Sequence, residues 1–259
     1  MTSTEANSVK PPRLASTILL LRDGASGLEL FMVVRHHQID FASGALVFPG
    51  GSVEPGDRDL ADDAMLCPPI AGVSPDLMAL RVGAIRETFE ECGLLLAREF
   101  GNAQLVGRDI AARVDQDGGR TAFAETMERH RLAPAVDLLT PYSHWVTPTF
   151  MPKRFDTHFF LAAAPGDQLA AHDGRESVDS IWINPRTALE DSRNGRYTVV
   201  FATRLNLEML AQANTVAEAL AQAARRRIVT VIPELVEKDG ARRLRLPLEA
   251  GYGGDLFDV

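Results

Sequence analysis

Apolar residues fall in short runs broken by turn-forming clusters. Leu14 to Leu21 and Leu28 to Val34 are rich in strand formers, and Arg22-Asp-Gly-Ala-Ser-Gly27 lies between them. That pattern predicts a β-hairpin. Ala45-Leu-Val-Phe48 predicts a third short strand, stopped by Pro49-Gly50-Gly51. Glycines at such a stop let the backbone take positive φ and pass close to a ligand. Residues 52 to about 73 are rich in Asp, Gly and Pro without periodicity and read as an irregular surface insertion. Ser74-Pro75-Asp76 then opens a helix, with Ser as N-cap and Pro at the first position. Met78, Val82, Ile85, Phe89 and Cys92 recur at spacings of four and three, which makes one apolar stripe, and Gly93 closes the helix.

Further along, residues 104 to 135 read as partly helical, with a break at Gly118-Gly119. Arg154 to Ala162 and Ser180 to Ile183 read as strands, and Pro185 to Leu189 starts a short helix. Leu205 to Arg226 is an Ala- and Leu-rich helical stretch with a break near Asn214-Thr215. It serves either the core or a homodimer face. Ile228 to Ile232 gives a last strand before a glycine-rich tail. Strands and helices alternate irregularly, so the expected class is α/β of the α+β type, a mixed sheet covered by helices. Residues 14–259 read as one domain with the insertion at 52–73 and a helical extension from about 200; residues 1–13 read as a flexible tail.

Composition narrows the function. The chain has 259 residues, 46% hydrophobic and 24% charged, as in ordinary globular proteins. Its formal charge is −8, which argues against nucleic acid or an anionic membrane as partner. A small phosphorylated substrate stays open, because a bound cation reverses the local field. Cys67 and Cys92 are the only cysteines, too few for a disulfide framework, and with no signal-type start they point to a cytoplasmic setting. No apolar run approaches the ~20 residues that a membrane helix needs.

The chemistry concentrates in Arg86-Glu87-Thr88-Phe89-Glu90-Glu91-Cys92-Gly93. Glu87, Glu90 and Glu91 share one helix face at i, i+3 and i+4. Periodicity alone favours a solvated outer face. The rival is a site for hard cations, which take clustered carboxylate oxygens. Two like charges about 4 Å apart repel by ~4 kcal/mol at an effective dielectric near 20, so a walled cleft would need cations to tolerate three of them. The preceding glycine turn, followed by the acids Glu54 and Asp57, favours the cation site.

Gly51, Arg86, Glu87, Glu90, Glu91, Gly93 and Leu94 together resemble the Nudix box, a glycine and an acid followed by R-E-(apolar)-x-E-E-x-G-(apolar). Three positions depart from that pattern. Asp57 stands where Glu is usual, residues 58 to 85 replace a seven-residue spacer with 28, and Thr88 stands where an apolar residue is usual. A long insertion inside the box, Arg35 to Gly51, Trp145-Val-Thr-Pro148 and Arg154 to Leu161 are similar to the peroxisomal coenzyme A diphosphatase branch. The likeness spans about residues 14–190.

The resemblance implies a Nudix-like mixed sheet sandwiched between helices. It also implies magnesium or manganese held by Glu87, Glu91 and Glu90 with a carbonyl near Gly50 or Gly51, and a small nucleotide-derived substrate. Arg86 would pair with a box carboxylate such as Glu90, while Asp57 would brace the loop. Glu90, Glu91, Arg86 and Glu176 are the candidate catalytic residues, with Glu90 or Glu176 as the general base. Arg35 and Arg154 are candidates for phosphate contacts, since Arg suits phosphate geometry, and Gly50 and Gly51 would line the substrate. Coenzyme A or an acyl-coenzyme A is the first substrate reading. NADH, ADP-ribose or a non-catalytic nucleotide sensor are the alternatives. His36, His37 and His158 read as structural histidines, Trp145 and Phe155 as core, and Cys92 as inert on the buried stripe.

Overall fold

The computed structural model describes residues 10–35, 45–118, 122–168 and 177–258. The hairpin forms as β1 (Arg13–Gly24) and β2 (Gly27–Arg35), but the two strands pair only near their turn, from Leu21↔Leu30 to Gly24↔Gly27. Beyond that they part, and a short segment fills the fork. β3 (Leu46–Val47) pairs with β2, while β4 (Gly50–Ser52) pairs with β1 through Ala15↔Ser52 and Thr17↔Gly50. The glycine stop seen in the sequence is therefore itself a strand, laid against β1. Only glycine fits at 50: φ is 156°, and a Cβ would stand 2.4 Å from the Ser16 carbonyl oxygen.

Helices α1 (Pro55–Asp62) and α2 (Pro75–Cys92) follow. Then come β5 (Ala97–Glu99), α3 (Arg108–Gly118), α4 (Phe123–Arg129), β6 (Leu132–Pro134), β7 (Thr140–Val146), β8 (Phe155–Ala163) and β9 (Ser177–Ile183). The C-terminal part adds α5 (Pro185–Arg193), α6 (Phe201–Leu210), α7 (Val216–Arg225), β10 (Thr230–Val231), β11 (Glu234–Lys238), β12 (Ala241–Arg245) and β13 (Leu256–Asp258). The main sheet runs β10-β7-β8-β1-β2-β3, with β4 also on β1 and β9 on β2. β1 and β8 are parallel, as are β7 and β10; the other pairs are antiparallel, so the sheet is mixed as expected.

The alternation along β1 sorts the core into two layers. Ile18 and Leu20 pack with Val82, Ile85 and Phe89 of α2. Leu19 and Leu21 point the other way, into a cluster with Leu205, Leu207 and Leu210 of α6 and Ala219 and Ala223 of α7. A sheet with helices on both faces is the sandwich that the resemblance implied, and it fits the helix-covered mixed sheet expected from the pattern. The helical stretch breaks near Asn214-Thr215 as read, and Thr215 caps α7 by accepting from the Glu218 N–H.

α2 starts and ends where its sequence says. The Ser74 hydroxyl accepts from the Leu77 N–H, and Gly93 closes the helix in the left-handed conformation with its N–H on the Phe89 carbonyl. Burial is broader than one stripe, because Arg81, Arg86 and Thr88 are buried as well. The Thr88 hydroxyl donates to the Ala84 carbonyl at 2.8 Å, so the unusual polar residue satisfies itself within the helix.

Two readings need correction. Residues 52–73 are not irregular throughout. Pro55 starts α1, Glu54 and Asp57 form a reciprocal capping box, and Asp57, Leu60, Leu66 and Cys67 are buried. The stretch after Ile232 is not only a tail, because β11, β12 and β13 form a separate antiparallel sheet. Asp239-Gly240, both at positive φ, turn β11 into β12. The alternation does not predict β7, because its Pro141 and a bulge between Pro141 and Ser143 blur the pattern.

Candidate active site

α2 lays its acidic side against the glycine strand. The Glu91 carboxylate accepts from the Gly50 N–H at 3.0 Å. The Glu87 carboxylate lies over Gly51, where a Cβ would meet its Cδ at 2.5 Å. Gly51 is thus required by contact, since any side chain there would displace Glu87. Glu87 is 15% exposed and Glu90 50% exposed. The carboxylate face is therefore turned into the fold at Glu87 and opens toward water at Glu90, against the fully solvated face that periodicity alone favours.

Arg86 locks this arrangement. Its Nε and Nη2 donate to the two oxygens of Asp57 at 2.8 and 3.0 Å, a bidentate pair with both side chains buried. Nη1 reaches Glu90 at 2.8 Å and Glu87 at 3.0 Å, and Nη2 also donates to the Ser52 carbonyl at 3.0 Å. The second Asp57 oxygen accepts from the Glu54 N–H at 2.8 Å. One guanidinium joins α1, β4 and α2. Burial alone would lower its pKa, but the Asp57 bond and the charges of Glu87, Asp57 and Glu90 carry it well above the usual arginine value. Burial raises the Glu90 carboxyl above its usual range, and the nearby Arg86 only partly offsets it.

The sequence-named residues distribute unevenly. Arg86, Glu87, Glu90, Glu91, Gly50 and Gly51 come together. Arg154 does not join them through its side chain; its Nε donates to the Thr147 carbonyl and its Nη1 to the Lys10 carbonyl. That makes it a brace between β7, β8 and the start of β1. Arg35 ends β2, but its side chain, together with His36, His37 and Glu176, lies outside the described parts of the chain. Trp145 is buried and packs against Phe201 and Tyr252, while Phe155 is half-buried at the start of β8.

A second group of potential ligands lies on the same sheet face. His158 is not an isolated structural histidine: its ring stacks on His144 at 3.9 Å, and both approach Asp156. Burial, then the neighbouring His144, lowers the His158 pKa to about 4. The signal in the sequence was Asp156 and His158 two apart on one strand, facing the same way.

A carboxylate helix tied to a glycine strand at the fork of a mixed sheet defines a Nudix-type domain. The family model described as the NUDT19 Nudix domain matches residues 68–200, and the chain belongs to this Nudix hydrolase family. The acyl-coenzyme A diphosphatase NUDT19 of Xenopus laevis is 24% identical over 216 residues, covering 67% of this chain and 57% of that protein. The human protein of the same name is 25% identical over 209 residues, covering 64% and 56%. The chain thus spans little more than half the length of these curated relatives. A crystal structure of a Nudix hydrolase from Alicyclobacillus acidocaldarius is 30% identical, covers 83% of this chain and 97% of its own, and superposes with a TM-score of 0.69.

The donor set fits a hard divalent cation. Carboxylate oxygens suit magnesium or manganese, Glu87 and Glu91 both meet the Gly50-Gly51 strand, and Glu90 shares the Arg86 guanidinium with Glu87. Glu87 and Glu91, with Glu90 beside them, are the residues that would hold such an ion.

Proposed function

We propose that the protein hydrolyses a diphosphate bond in a nucleoside diphosphate derivative, with coenzyme A or an acyl-coenzyme A as the preferred substrate. The observation that carries this reading is the packing of Glu87 and Glu91 on the Gly50-Gly51 strand, with Arg86 fixing their neighbours. A magnesium or manganese ion held there would supply positive charge to the diphosphate and acidity to a water. The chain does the positioning. Glu91 is oriented by the Gly50 amide, Glu87 by contact with Gly51 and the Arg86 charge, and Glu90 by Arg86. Glu90, half-open to water, would accept the proton of the attacking water; Glu176 is the alternative base. Arg35 is the remaining arginine for phosphate contact, since Arg154 is engaged with carbonyl oxygens.

The substrate assignment leans on the relatives named acyl-coenzyme A diphosphatase and on the long insertion inside the box. The test is a panel of coenzyme A, acetyl-coenzyme A, NADH and ADP-ribose with and without magnesium, read by mass spectrometry. The expected products from coenzyme A are adenosine 3′,5′-bisphosphate and 4′-phosphopantetheine. Turnover of ADP-ribose or NADH alone would move the protein to another diphosphate substrate. Binding without turnover of any compound would make it a nucleotide sensor.

A further inference from the structure

We propose a transition-metal site, of the kind zinc occupies, formed by His144, Asp156 and His158, separate from the box carboxylates. The three residues come from adjacent antiparallel strands, His144 on β7 and Asp156 and His158 on β8, and His144 and His158 are direct cross-strand partners. One ligand atom from each lies within 4.8 Å of the others. The Asp156 oxygen is 2.5 Å from His144 Nε2 and 3.9 Å from His158 Nε2. Two imidazoles and one carboxylate form the donor set of zinc and related first-row ions, and three protein ligands leave a position open for a further ligand.

The surroundings of His144 support the assignment. Its Nδ1 lies 2.9 Å from the Thr230 hydroxyl on β10, which leaves Nε2 directed at the cluster. Ligating histidines are commonly held in this way, with the second nitrogen donating to a neighbouring oxygen. With a metal on Nε2 the ring proton would stay on Nδ1 and hydrogen-bond to the Thr230 oxygen, and the metal would take the place of the His144–Asp156 hydrogen bond. Metal bonds of about 2.1 Å set ligand–ligand edges of about 3.4 Å. The Asp156–His144 distance must open and the Asp156–His158 distance close, each by less than about 1 Å on that measure. The two rings are tilted by 23° and their side chains are 16% and 25% exposed, so the site is reachable from solvent.

The location is defined by strand register. Gly51, Ser16, His158, His144 and Thr230 are successive partners across β4, β1, β8, β7 and β10, and so share one sheet face. It is the face of α2, because Ser16 Oγ would be 3.4 Å from a Cβ on Gly83. His158 stands two strands from Gly51, about 10 Å at ordinary strand spacing. Paired catalytic ions sit about 3.5–4 Å apart. The His-Asp site is therefore an accessory centre beside the box, not its second ion, and it does not depend on the proposed reaction.

The test uses the full chain, stripped with a chelator and kept in excess magnesium to occupy the carboxylates. Cobalt(II) is titrated and followed by visible absorption, and zinc is examined at one equivalent by X-ray absorption. The expected result is saturable cobalt bands and a zinc shell containing two imidazoles. Saturable binding is lost in His144→Ala and His158→Ala, and Thr230→Val weakens it by about 10- to 100-fold. A zinc shell of oxygen alone on the unaltered chain overturns the site whether or not the variants fold. So does the absence of saturable binding, or binding indifferent to both histidine substitutions.

Discussion

The Glu91 carboxylate accepts a hydrogen bond from the Gly50 amide at 3.0 Å, joining the last turn of α2 to the strand in the fork of the hairpin. Glu91→Gln keeps an oxygen for that bond and removes the charge. Turnover of the diphosphate substrate is expected to fall by on the order of 10²-fold or more, with an unchanged thermal midpoint. A variant as active as the parent would remove Glu91 from the chemistry.

Gly50→Ala and Gly51→Ala separate backbone strain from site geometry. At Gly51 the added carbon meets the end of a flexible carboxylate; at Gly50 it meets the Ser16 carbonyl and the Thr17 backbone, at a φ of 156°. Gly51→Ala is expected to displace Glu87 and weaken magnesium binding, measured by calorimetry, while costing about 1 kcal/mol or less of stability. Gly50→Ala is expected to cost more, roughly 1–3 kcal/mol. Reversal of that order in urea unfolding would contradict the contact assignment.

Asp57→Asn leaves the buried Arg86 without its bidentate partner. Breaking one side of a buried pair typically costs about 3–5 kcal/mol. Denaturant titration should show a loss in that range, together with lower activity, because Arg86 also orients Glu87 and Glu90. An unchanged midpoint would mean that the pair does not join α1 to α2.

Cys67 supplies a pH test. Burial, then the nearby Asp63 charge, raises its thiol from 9.0 to about 11. The folded chain disfavours the thiolate, so this contribution to stability is complete below about pH 9 and is lost as pH rises through 11. Between pH 8 and pH 10.5 the parent should lose more stability in urea unfolding than Cys67→Ala does, whatever their difference at pH 8. Native Cys67 should also react with a thiol reagent far more slowly than the unfolded chain. Parallel pH curves would reject the burial argument.

The helix carrying the carboxylates was legible almost residue by residue, because Ser74, Pro75 and Gly93 are strong local signals and the stripe from Met78 to Cys92 has one period. Its environment was not. Whether Glu87 faces water depends on β4, which pairs with a strand more than thirty residues earlier and whose glycines carry no apolar alternation. The helix α1 was hidden because its acids and proline look like loop composition until Glu54 and Asp57 cap it reciprocally. The β11–β12 hairpin carries an Asp-Gly turn, but the charged residues on either side obscured the alternation. His144 and His158 were each unremarkable alone; only cross-strand register makes them neighbours.

Arg86 holds Asp57 even though 28 residues separate them along the chain. The two halves of the box are closed by side chains in space and not by a fixed number of peptide bonds. Length can therefore vary only in the connection between α1 and α2, since both helices are packed into the core on either side of it. A linear pattern measures the wrong quantity in such a protein; the interval that closes the box is 2.8 to 3.0 Å between a guanidinium and an aspartate.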